Sequence, residues 1–73
     1  LDGAEPELFW DSTYAICVAL MQHYPNIEPV GVGIWELAEL VESLPNFMDD
    51  PAMVTERILL DIQSTWYEEA ASL

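Results

Sequence analysis

Apolar residues along this chain fall into three runs with helical spacing. In the first, Ile16, Leu20 and Tyr24 repeat at i, i+4 and i+8, with Cys17 and Met21 beside them. Asp11 or Ser12 is suited to cap this run, and Pro25 stops it. In the second, Leu37, Leu40, Val41 and Leu44 build one stripe, while Glu36, Glu39 and Glu42 lie off it, and Pro45 and Asn46 end it. In the third, Val54, Ile58, Ile62 and Trp66 share a face with Leu59 alongside. Asp50 reads as its N-cap, Pro51 as its first helical residue and Asp49 as a charge near the positive end of its dipole. The spacings predict helices near 12–24, 34–44 and 51–70 around Ile16, Leu20, Leu37, Val41, Ile58, Ile62 and Trp66. That is an all-α fold, a small three-helix bundle.

The segments between these runs add little regular structure. Residues 1–8, "LDGAEPEL", read as a flexible leader before a single domain over 9–73. The connector "NIEPVGVGI" cannot extend a helix through Pro29, Gly31 and Gly33, although Val30 and Val32 suit a brief extended piece. With 73 residues, a chain buries only about 60% of the surface it exposes when unfolded, so its stability is modest. No run reaches the roughly 20 apolar residues of a membrane span, and no charged n-region of a signal peptide opens the chain. The single cysteine, Cys17, has no internal disulfide partner. A reducing, cytoplasmic setting is the expectation.

Charge changes the picture most. The chain carries 14 acids against a single basic residue, Arg57, for a net charge of −13. This excludes phosphate-driven nucleic-acid binding and docking on an anionic membrane. It favours a basic protein partner or a hard cation held by oxygen. Arg57, Asp61 and Glu68 form an outer row on the third helix, so Arg57 is expected to pair with Asp61 one turn on.

Catalytic chemistry has little to work with. "GVG" is too short for a nucleotide loop and lacks a following Lys. One His and one Cys cannot complete a zinc site. Cys17 and His23 lie six positions apart on one helix, about 120° from superposition. His23 is better read as a helix C-terminal residue facing the dipole, and Cys17 as a small core residue. No enzymatic activity is expected.

Trp10, Ile16, Ala19-Leu20, Tyr24-Pro25, Pro29, Leu44, Phe47, Asp49-Asp50-Pro51, Glu56, Ile58-Leu59, Ile62, Trp66 and Glu69-Ala70 form a pattern that resembles the IscX (YfhJ) family of bacterial iron–sulfur cluster assembly proteins. The resemblance runs without gaps from Leu8 to Ala70. It implies a winged-helix-like three-helix domain. It also implies a regulator or iron adaptor that binds the basic surface of a cysteine desulfurase in competition with frataxin. No tightly bound cofactor is implied, only weakly bound iron on surface carboxylates. Acids at matching positions are Glu28, Glu36, Asp49, Asp50, Glu56, Glu68 and Glu69. The resemblance points to Glu28, Asp49, Asp50, Glu56, Glu68 and Glu69 for iron, and to Glu36, Asp49, Asp50 and Glu68 for the partner.

The chain departs from that pattern on its surface. Basic residues are reduced to Arg57, and Val30, Trp35, Met48, Leu60 and Tyr67 stand where polar residues are expected. A second reading follows from this: an engineered sequence on an IscX-like backbone, keeping core and caps without a retained function. Exposed apolar residues of that kind would favour self-association.

Overall fold

A computed structural model describes residues 7–72. Three α-helices form, α1 (Thr13–His23), α2 (Ile34–Glu42) and α3 (Glu56–Ala71). Short 3₁₀ turns at Pro29–Gly31 and Pro51–Met53 precede α2 and α3. Helix α3 packs mainly against α1 and secondarily against α2. The shared core holds Ile16, Cys17 and Leu20 from α1, Leu37 and Val41 from α2, and Leu59, Ile62 and Trp66 from α3. Ile58, expected at the centre of this face, is only half-buried, and Leu59 takes its place.

Helix α2 ends at Glu42, two residues short of the expected 44, yet the apolar stripe is kept: Leu37 and Val41 on the helix and Leu44 just beyond it are buried, and Leu40 is half-buried. Gly33 starts it, and the Gly33 N–H donates to Glu36 Oε1 at 2.9 Å, satisfying an amide that the helix leaves open. Helix α1 begins after Ser12, as expected, but by a different device. The Ser12 hydroxyl accepts from the Phe9 N–H at 3.3 Å, closing the preceding turn, and makes no cap bond to the helix.

Helix α3 starts five residues later than its Asp-Pro signal suggests. Asp50 is indeed a cap, its Oδ1 accepting from the Ala52 N–H at 2.9 Å, but the element it caps is the 3₁₀ turn Pro51–Met53. Val54 and Thr55 then return to extended backbone. The Thr55 hydroxyl accepts from the Ile58 N–H at 3.2 Å and opens the real helix. Proline suits the first position of a 3₁₀ turn as well as that of an α-helix, so its presence does not choose between them.

Leu8, the last residue of the expected leader, is fixed in the fold. Residues 1–6 lie outside the described part, but Leu8 is 1% exposed and belongs to the core. Its N–H donates to the Asn46 carbonyl and its own carbonyl accepts from the Met48 N–H, both at 2.9 Å. This single parallel bridge, Leu8 to Phe47, is the only extended pairing among the described residues. The helical part of the expected architecture is therefore present, and no strand pair that would make a wing is formed among these residues.

Candidate functional site

The most elaborate polar construction in the fold joins the residues before α1 to the loop after α2. Trp10 is buried, with its ring edge-on to Phe47 at 4.8 Å between centroids. A buried indole requires a partner for its N–H. Here the Trp10 Nε1–H donates to the Asp50 carbonyl at 2.9 Å, and the Trp10 backbone N–H donates to Asp49 Oδ2 at 2.9 Å. The second oxygen of Asp49, Oδ1, accepts from the Asp50 N–H at 2.7 Å. Asp49 is thus a staple between distant segments. The dipole role read from its position before Pro51 does not arise, because α3 begins at Glu56.

The other expected partner acids are scattered around the fold. Glu36 stands in the first turn of α2, engaged by the Gly33 N–H. Asp50 caps its turn. Glu68 is exposed on the face of α3 opposite Leu59, Ile62 and Trp66. Of these four, Glu68 alone has no local structural bond. Arg57 and Asp61 are both exposed on that outer row, but no ion pair joins them. Water solvates both charges, and ordering two mobile side chains for so small a gain is unfavourable.

The expected iron ligands do not converge. Glu28 borders a cavity of about 270 Å³ with Met21, Tyr24, Trp66 and Ala70. Glu56 opens α3, while Glu68 and Glu69 lie near its far end. Among the described residues no group of three or more Asp, Glu, His or Cys side chains is placed to hold a metal ion. Asp49 and Asp50 are neighbours, yet both already accept backbone N–H bonds. The donor set therefore does not fit a preformed iron site.

The lone cysteine is a core group. Cys17 is fully buried, and its thiol donates to the Ile62 carbonyl at 3.3 Å, tying α1 to α3. Burial, with a smaller contribution from the charge of Glu69, pushes the thiol up from 9.0 to about 12. A thiol held neutral in this way is not a nucleophile.

Two features escaped the sequence reading. Gln63, half-buried on α3, donates its Nε2–H₂ to the carbonyls of Pro29 at 3.2 Å and Val32 at 2.7 Å, pinning the connector to the helix. The second is a cavity of about 490 Å³ lined by Phe9, Trp10, Asp11, Asp49, Met53 and Ile58. It gathers side chains from two stretches distant in sequence, residues 9–11 and 49–58, so no local period announces it. The available signal was compositional: Phe9 and Met53 are large apolar residues that fall outside every helical stripe.

No helix among the described residues is long and apolar enough to cross a membrane. Exposed carboxylates are spread over the described surface, among them Glu36, Asp50, Glu56, Asp61 and Glu68. An uncharacterized protein of Pseudomonas aeruginosa is 36% identical over 62 residues, covering 85% of this chain and 94% of its own length. The profile of the iron–sulphur cluster assembly family matches residues 8–71, from the buried Leu8 to the last residue of α3. The chain belongs to this family, the IscX family, and its role lies in iron–sulphur cluster assembly.

Proposed function

We propose that the protein is a small acidic adaptor or regulator that binds a cysteine desulfurase through the basic surface of that enzyme. The observation that carries this reading is the charge: a net −13 within a family of cluster assembly proteins. Single exposed pairs contribute about 0–1 kcal/mol, so affinity has to come from several carboxylates acting together. The protein acts by binding and not by catalysis, and its setting is cytoplasmic. Iron association in this reading is weak and dispersed over individual carboxylates among Glu28, Asp49, Asp50, Glu56, Glu68 and Glu69. No step of the function is routed through it.

A calorimetric titration against purified desulfurase at low salt tests the reading. Saturable binding is expected, weakened by Glu68→Lys and left intact by reversal of Arg57. Glu36→Lys and Asp50→Lys should weaken it too, but each also removes a cap. Asp49→Lys breaks the staple to Trp10, so its effect counts only with an unchanged helical spectrum. Flat heats beside an intact spectrum would sink the adaptor reading. They would favour the alternative, an engineered sequence on this backbone without retained function. That alternative draws on the exposed Val30, Trp35, Met48, Leu60 and Tyr67.

A further inference from the structure

The cavity beside the Trp10 staple combines three properties. Its apolar part is open to solvent: Phe9 is 40% and Met53 65% exposed, and the half-buried Ile58 closes the floor. Its rim is acidic, with Asp11 and Asp49 lining it and Asp50 next in the chain. Its walls are fixed, because the Trp10 N–H and indole N–H are both bonded to the Asp49–Asp50 segment and the ring of Trp10 packs on Phe47. A preorganised groove loses little conformational freedom on binding.

We infer that this groove, formed by Phe9, Trp10, Asp11, Asp49, Met53 and Ile58, docks a peptide segment of a partner protein in which an aliphatic side chain is flanked by Arg or Lys. The inference rests on the adaptor reading and gives it a point of anchorage. The aliphatic side chain covers Phe9 and Met53, whose unbranched thioether adjusts to the shape it meets. The flanking cation faces Asp11 and Asp49. Two N–H bonds leave Asp49 further acceptor positions, since a carboxylate offers about four. Charge complementarity selects this occupant: a second copy of a chain carrying −13 would meet like charge at the rim. An uncharged apolar segment would leave the rim unanswered.

The probe is the peptide acetyl-Arg-Leu-Arg-Leu-Arg-amide, titrated into the isotopically labelled full chain and followed by amide and indole NMR. The Trp10 indole signal reports the groove, and those of Trp35 and Trp66 are internal references. Saturable shifts are expected at Phe9, Trp10, Met53 and Ile58. Met53→Gln, at an exposed position that folding tolerates, should weaken binding roughly tenfold. Asp11→Asn should weaken it about two- to fivefold at low salt. Glu42→Gln should leave it unchanged. A peptide with Ser in place of Leu should lose the effect.

Shifts spread equally over Glu36, Glu39 and Glu42 with both peptides would overturn the inference in favour of diffuse counterion attraction. Shifts at the groove on raising protein concentration without peptide would overturn it in favour of a second copy. Failure here is separable from failure of the adaptor reading. If desulfurase binds wild type and Met53→Gln equally, the groove is refuted and the adaptor stands. If desulfurase does not bind while the peptide fills the groove, the adaptor reading falls and the groove serves another basic protein.

Discussion

The seam between α1 and α3 and the clasp between Trp10 and the Asp49–Asp50 loop are held together in opposite ways. The seam is apolar, with Ile16, Cys17, Leu20, Leu59, Ile62 and Trp66 all buried, and the Cys17 thiol donates across it to the Ile62 carbonyl. The clasp is half-buried and rests on directed hydrogen bonds between residues 39 and 40 positions apart. The difference separates tolerance from specificity. An apolar seam accepts any side chain of suitable volume, whereas a carboxylate that must meet a particular backbone N–H has few substitutes. Stability should therefore reside chiefly in the seam, and the shape of the proposed groove in the clasp.

The largest effect expected from breaking this contrast comes from the seam. Ile62→Ala should cost roughly 2–5 kcal/mol, enough to unfold much of a domain this small. A mutant that melts within a degree of wild type would refute Ile62 as a core residue.

Next comes the clasp. Asp49→Ala removes the acceptor of two N–H groups and should cost about 1–3 kcal/mol. The loss should be local: hydrogen exchange should quicken at Trp10 and Asp50 while amides of α3 keep most of their protection. Equal loss of protection in both regions would show that clasp and seam are one cooperative unit.

A third effect appears only in alkali and belongs to the seam. The folded state keeps the Cys17 thiol protonated to about pH 12, whereas the unfolded chain releases that proton near 9.0. Above pH 9 the unfolded state therefore binds fewer protons, and stability falls as pH rises toward 12. Denaturant midpoints measured across that range should decline more steeply in wild type than in Cys17→Ala. Parallel declines would mean that the thiol is not held neutral.

The smallest expected change is at Arg57. With no ion pair to lose, Arg57→Gln should alter stability by less than about 0.5 kcal/mol. A larger loss in thermal melts would restore the pairing with Asp61 that spacing alone suggested.

These contrasts also show what the sequence could reveal. Helix α2 was legible almost to its end, because Leu37, Leu40 and Val41 repeat with the period of the element they build, while Leu44 continues the stripe past its last residue, Glu42. The core face of α3 was legible for the same reason, through Ile62 and Trp66. Its start was not, because Asp50-Pro51 caps a 3₁₀ turn as readily as a helix, while the weaker signal of Thr55 ahead of Glu56 marked the true beginning. The burial of Leu8 and Trp10 was illegible in principle. Their partners, Asn46 to Asp50, lie some 40 positions away, and no local period encodes such a pairing. Carboxylate identity was legible at every position. Which acids serve the fold, as Glu36, Asp49 and Asp50 do, and which stand open to solvent, as Glu68 does, required the hydrogen bonds.

The claim that exposed carboxylates carry the function is tested most directly by the rate of association with a cysteine desulfurase, measured by stopped flow as ionic strength rises. Charge-steered encounter predicts fast association at low salt and a steep fall as screening shortens the Debye length from about 30 Å at 0.01 M to 8 Å at 0.15 M. Glu68→Lys should lower the rate at low salt and converge on wild type at high salt. A rate that is flat across this range, or an affinity that rises with salt, would contradict the account and assign any binding to the apolar residues instead.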